Sequence, residues 1–205
     1  DWGANIELLQ ETADACNLIL EHTHWQIRIL SKCVLIRKLI EDELIPKKHH
    51  HRLILGFSIG TLDDKVATAI EKGCSSVTKR LEALHWLQDN GIRTFGMICP
   101  NLPQEDYDAF SKEICDAIRV NKCEHVWAEV MNIRGESLKK TADALCGEGF
   151  EDEARLLKEV MGKKAGDRWE QYARDTFLAH AKHVPADKLR FLQYVTENSA
   201  DWWAD

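Results

Sequence analysis

The first pattern along the chain is helical. Ile6, Leu9, Ala13, Cys16 and Leu20 recur at helical spacing, which predicts an amphipathic helix from Ile6 to Glu21. Trp25, Ile27 and Ile29 then alternate against Gln26 and Arg28, so the period drops to two and a strand is predicted. Residues 34–44 return to a helical pattern that stops before Pro46, and His49-His50-His51 falls in a polar connector. Arg52 to Gly60 is almost continuously apolar, as expected of a strand buried on both faces. Ser76 to Asn90 predicts a helix with Val77, Leu81, Leu84 and Leu87 on one face and Asn90-Gly91 as its stop. Arg93 to Cys99 predicts a third strand ended by Pro100 and Pro103, Gln104 to Val120 a helix, and Glu124 to Met131 a fourth strand. From Ser137 the pattern is helical throughout, over 137–146, 150–162, 167–183 and 185–196, with breaks at Gly147, Gly149, Gly166 and Pro185. The Trp-rich end, with Trp202 and Trp203, is expected to cap a core.

The order is thus a helix, four strand–helix units and a helical tail. Strand centres near 28, 56, 95 and 127 suit right-handed βαβ crossovers. The fold class is α/β, with about four parallel strands in residues 1–136 and a helical C-terminal extension over 137–205. Periodicity alone leaves an open sheet and a partial (β/α) barrel equally available. Composition agrees: 11 Gly and 4 Pro in 205 residues are too few for a protein built of tight β-turns, and 44% hydrophobic residues exclude a disordered chain.

Charge and cysteine usage narrow the partners. A net charge of −7, with no basic stripe interleaved with aromatics, argues against a nucleic-acid partner. No apolar run approaches the ~18 residues of a membrane span, and no signal peptide opens the chain. Seven cysteines cannot all pair within one molecule, which points to a reduced, cytoplasmic setting.

Parallel α/β sheets bind ligands beyond the carboxyl ends of their strands. That rule selects Ser31-Lys32-Cys33, Ser58 to Thr61, Cys99-Pro100-Asn101, and Glu129 with Asn132 and Arg134. Hydroxyls, an ammonium, a carboxylate, an amide and a guanidinium suit a polar ligand bearing carboxylate and hydroxyl groups. The plainer reading is that these are turn and capping residues. Three adjacent histidines diverge on any regular element, so His49 to His51 read as a solvated loop and not a metal site.

The run Ile29 to Cys33, then Phe57 to Asp63, Ala69 to Gly73, Thr78 to Leu84, Asn90 to Ile92 and Met97 to Pro100 resembles one branch of the radical S-adenosylmethionine superfamily, the branch related to spore photoproduct lyase. The resemblance covers residues 25–135. It implies a partial (β/α) barrel that holds S-adenosylmethionine beside a [4Fe–4S] cluster and generates a 5′-deoxyadenosyl radical. It implies that Lys32 neutralises the cofactor's carboxylate and that Ser58 and Thr61 contact ribose or carboxylate. It places Pro100 and Asn101 on the adenine side, and Glu129, Asn132 and Arg134 at the substrate mouth.

The chain departs from the family at the cluster. Its cysteines stand at 16, 33, 74, 99, 115, 123 and 146, so no Cys-x3-Cys-x2-Cys exists. Lys72 stands where the family commonly has Pro, and Gly60 where it commonly has Thr. The chain begins at Asp1, not Met. The expectation is the carboxyl-terminal part of a radical enzyme of unknown substrate, inactive as this polypeptide, with the cluster present only in the full-length protein. The alternative is a non-catalytic α/β module that binds a ligand or a protein.

Overall fold

A computed structural model describes residues 3–132, 136–161, 166–192 and 200–204. Helix α1 (Ile6–His22) is capped by Asn5, whose side chain accepts from the Leu8 N–H. Strand β1 (Ile27–Ser31) follows and leaves Trp25 outside, 69% exposed. A 3₁₀ turn (Val34–Arg37) runs into the short helix α2 (Lys38–Glu41), and a second (Lys47–Arg52) leads into β2 (Leu53–Ser58). That second turn holds the three histidines. His49 is buried and the His50 ring meets the Ile45 carbonyl at 2.8 Å, so the segment is more ordered than a solvated loop.

Helix α3 (Asp64–Ile70) was not visible in the periodicity; Asp63 caps it by accepting from the Lys65 and Val66 N–H groups. Then come α4 (Val77–Asp89), β3 (Arg93–Asn101), α5 (Tyr107–Ala117), β4 (Val126–Val130), α6 (Ser137–Gly147), α7 (Glu151–Glu159) and α8 (Gly166–His183). The chain finishes with β5 (Leu189–Leu192) and α9 (Ala200–Ala204). The expected helix over 185–196 is corrected here. Leu189 to Leu192 form a strand, and residues 193–199 lie outside the described ones. Four residues of alternating half-exposure carry too little apolar signal to announce a strand; pairing with β4 decides it.

The sheet among the described residues is wholly parallel, in the order β1-β2-β3-β4-β5. Chain order equals spatial order, so every strand points its carboxyl end to the same edge. Side chains alternate between two faces. Ile29, Leu53, Leu55, Phe57, Ile98, Val126 and Ala128 pack outward into a core shared with Leu9, Ala13, Leu20, Leu84, Leu87, Ile114 and Ile118 of the helices. Leu30, Ile54, Phe95, Met97, Cys99 and Trp127 cluster on the opposite, inner face. A second core joins α3, α6, α7 and α8 to the end of β4 through Val66, Val130, Leu145, Leu157, Trp169 and Tyr172. Trp203 caps β5 by stacking on Phe191, with ring centroids 5.7 Å apart.

Two glycines shape the inner face and the strand tips. A Cβ on Gly56 would stand 2.6 Å from the Phe95 ring, so glycine there lets the ring lean across β2. A Cβ on Gly60 would collide with the Pro100 carbonyl oxygen and lie 3.0 Å from the Pro100 nitrogen. Gly60 thus stands where two backbones touch. Gly60→Ala should therefore destabilise by about 2 kcal/mol or more in urea unfolding, because neither contacting group is a movable side chain. Gly147→Ala, with nothing within 4 Å of its Cβ, should leave the midpoint almost unchanged.

Candidate functional site at the strand tips

The strand tips are organised by Arg80. This residue occupies the buried stripe of α4 with Val77, Ala83, Leu84 and Leu87, and only 1% of its side chain is exposed. Its Nε donates to the Ser75 carbonyl and its Nη1 to the Ser58 carbonyl, both at 2.8 Å. Its Nη2 pairs with the Glu71 carboxylate at 2.7 Å. The other oxygen of Glu71 takes Lys32 Nζ at 2.7 Å. The Ser75 N–H donates to the Lys32 carbonyl, and the Val34 N–H to Ser75 Oγ, each at 3.2 Å. One guanidinium thus locks the tip of β2 to the loop after α3, and through that loop to the tip of β1.

Lys32 is one-third exposed, so its ammonium is held but accessible. Ser58 sits on the same face, buried, level with Met97 and Trp127 in the sheet register. Cys99 and Glu129 complete this mouth: the thiol donates to Glu129 Oε2 at 3.3 Å. Burial first, and the Glu129 charge second, push the Cys99 thiol up to about 12, so it stays protonated. Lys32, Ser58, Cys99 and Glu129 therefore share the carboxyl-terminal mouth of the inner face. Glu71 and Arg80 are the members that sequence reasoning passed over. Their signal was present: a cation in the apolar stripe of a helix requires a buried anion.

Asn101 and Thr61 lie elsewhere. β3 and β4 slip register between Ile98 and Asn101, where Cys99 and Pro100 together oppose Glu129. The extra residue moves Asn101 to the Ile98 face, under the helices. There its Nδ2 donates to the Ile98 carbonyl at 2.8 Å and the Glu129 carbonyl at 3.2 Å, and its Oδ1 meets His180 Nε2 at 2.9 Å. Thr61 Oγ1 accepts from the Asp63 N–H at 3.1 Å and lines a separate cavity of about 340 Å³ with Val66, Leu102 and Phe110. Pro100 abuts Gly60 at the β2–β3 junction, Asn132 follows β4 half-buried, and Arg134 lies outside the described residues.

Helix α8 clasps these tips from outside. Tyr172 donates its hydroxyl to the Asn101 carbonyl and accepts from the Met131 N–H at 2.8 Å; Trp169 Nε1 donates to the Met131 carbonyl at 3.0 Å. His180 bridges Asn101 and Ser111 Oγ, the latter at 2.7 Å from Nδ1. Both Asn101 amide hydrogens are donated, so Oδ1 accepts, His180 carries its proton on Nε2, and Nδ1 accepts the Ser111 hydroxyl proton.

The lower inner face collects basic and aromatic groups from separate strands. The Arg28 guanidinium lies over the rings of Phe95 and Trp127, 5.6 and 5.8 Å from their centroids. His125 stacks on Phe95 at 5.3 Å, and Arg190 pairs in register with Trp127. Arg28, Trp127 and Arg190 thus stand together over a buried Phe95–His125 stack, a grouping that the linear sequence does not show.

Among the described residues, no three His, Cys, Asp or Glu side chains converge to hold a metal ion, and no helix is long and apolar enough to cross a membrane. The donor set at the mouth does not fit an iron–sulfur cluster. It does fit an organic ligand with a carboxylate and hydroxyls, through Lys32 and Ser58.

No family model matches the sequence, and no curated protein matches it. Solved structures do match. A tyrosine-to-phenylalanine mutant of spore photoproduct lyase aligns with a TM-score of 0.57 at 15% identity, over 93% of this chain and 57% of that one. A cysteine mutant of the same lyase with bound AdoMet and dinucleoside spore photoproduct gives the same values. The lyase complexed with the dinucleoside spore photoproduct aligns at 0.55 and 14% identity, over the same shares. The chain thus has the fold of the matched part of those lyases and spans little more than half their length.

The clasp has a pH signature. Burial lowers the His180 pKa from the ordinary 6.5 to about 4, so the folded protein holds it neutral. Its stabilising contribution is complete above pH 6.5 and is lost as pH falls toward 4, a change of about 3 kcal/mol. Urea midpoints of the wild type should drop across that window more steeply than those of His180→Gln. Parallel profiles would show that His180 does not carry this linkage.

Proposed function

We propose that the strand-tip mouth binds S-adenosylmethionine and that the chain forms the carboxyl-terminal part of a radical enzyme of the spore photoproduct lyase kind. The carrying observation is the Lys32–Glu71–Arg80 chain, which holds an accessible ammonium beside Ser58 and Glu129 on a fold shared with an AdoMet-bound lyase. In this reading Lys32 meets the ligand's carboxylate, Ser58 its ribose, and Pro100 borders the adenine. Glu129 and Asn132 face the substrate. Among the described residues no donor set fits the iron–sulfur cluster that would activate such a ligand; in this reading this chain's residues bind and orient.

The inner face supports a nucleoside-bearing substrate. The linear sequence has no basic, aromatic stripe, but the fold sets the exposed Arg28 and Arg190 beside Trp127 above the buried Phe95 and His125. The half-buried Trp127, with the exposed Arg28 and Arg190 beside it, suits a base and its phosphate. The cysteine spacing also serves the second reading, a binding module without catalysis. In a longer protein that carries this chain together with a cysteine-rich cluster segment, 5′-deoxyadenosine formed after reconstitution with iron, sulfide and a reductant separates the two, and its loss on Lys32→Ala ties it to this mouth.

Titration calorimetry with S-adenosylmethionine tests the binding reading. Lys32→Ala should weaken binding about tenfold or more, the worth of one charge-assisted contact. Lys48→Ala, exposed and before β2, should leave it unchanged. Equal affinities for the two variants would remove Lys32 from the site, and no binding by the wild-type chain would remove the reading.

A further inference from the structure

Outside the strand-tip mouth, the α6–α7 hairpin places a thiol against an amine. Cys146, near the end of α6, accepts a hydrogen bond from Lys158 Nζ of α7 at 3.1 Å, and both side chains are exposed. They line an open cavity of about 600 Å³ whose other charged residues are of both signs, Arg155 and Arg168 with Glu151, Asp152 and Glu159. The open cavity admits a small oxidant to the exposed sulfur, and the Lys158 nitrogen is the group already in contact with it. Cys74 is also exposed, but among the described residues no ammonium is hydrogen-bonded to its sulfur. The other five cysteines are buried or half-buried. The pair is thus distinguished by accessibility and by a nitrogen nucleophile already in contact.

We propose that Cys146 and Lys158 form an oxidation-responsive modification site that closes a sulfur–nitrogen bond across the hairpin. Hydrogen peroxide, the oxidant, transfers one oxygen to the Cys146 sulfur; the thiol becomes a sulfenic acid and the peroxide is reduced to water. The Lys158 ammonium gives one proton to solvent, and the free amine attacks the sulfur. The S–N bond forms, the S–O bond breaks, and the departing hydroxide leaves as water with the second amine proton. The product is a sulfenamide, two hydrogens lighter than the reduced pair, and thiols reverse it. The bond joins the end of α6 to α7, whose inward residues Leu145, Ala154 and Leu157 pack into the second core. Oxidation therefore replaces the exposed Lys158–Cys146 hydrogen bond by a covalent tie across the hairpin. The proposal is independent of the strand-tip reading, since neither partner touches that mouth.

The test treats the reduced full chain with a small molar excess of hydrogen peroxide, blocks remaining thiols with N-ethylmaleimide and maps tryptic peptides by mass. The expected product joins residues 141–155 to 156–163, two hydrogens lighter than their sum, with cleavage after Lys158 lost and dithiothreitol restoring both peptides. Lys158→Arg keeps a cation but should abolish the link, as should Cys146→Ser. The oxidised wild type should melt a few degrees above the reduced form, and Lys158→Arg should show no such rise. Cys146 recovered as a sulfinic acid or an intermolecular disulfide, in equal yield from wild type and Lys158→Arg, would overturn the proposal.

Discussion

The carboxyl ends of β1 and β2 hang on one buried guanidinium. A cation as enclosed as Arg80 is tolerable only if its charge is matched and its N–H groups find acceptors, because an unmatched buried charge costs several kcal/mol. Glu71 supplies the charge; the Ser58 and Ser75 carbonyls supply the acceptors. These acceptors belong to different segments, so the guanidinium fixes their relative positions as well as their energies. Lys32 inherits its place from this arrangement, as the second cation on a carboxylate that Arg80 already holds. The accessible charge at the mouth is therefore positioned from inside the protein, through a buried residue of α4.

The other side of the mouth is set by a slip in register. The two-against-one pairing of Cys99 and Pro100 with Glu129 leaves Cys99 on the inner face and turns Asn101 outward. Helix α8 then takes up the groups that the irregular tip cannot satisfy within the sheet. Tyr172 serves the Asn101 carbonyl and the Met131 N–H, and His180 serves the Asn101 amide oxygen. A polar network this enclosed is costly when half-satisfied and rigid when complete. Its completeness explains why β4 and its neighbour keep their tips in place although β5, beside them, contributes only four residues.

The two faces of the sheet thus have separate duties. The helix-covered face holds the apolar cores and the α8 clasp. The inner face carries the accessible ammonium and carboxylate at its mouth and the basic and aromatic groups below. Thr61 and Asn101 lie outside this division of labour as the sequence suggested it: the first faces a cavity between helices, the second the clasp.

Sequence alone determined the alternation of strands and helices, the parallel sheet, and the edge where a ligand site belongs. Those features rest on hydrophobic period and chain direction, which are written locally. Lys32, Ser58 and Glu129 were legible for the same reason, because each ends a strand. β5 was not, since its four half-exposed residues become a strand only by pairing with β4. Nor was the fate of Asn101, which depends on a bulge that reverses the face of every later residue. The Arg80–Glu71 pair and the grouping of Arg28, Phe95, His125 and Trp127 were likewise decided by tertiary structure. Residues distant in sequence meet only when the sheet brings their strands side by side, and no local pattern encodes that distance.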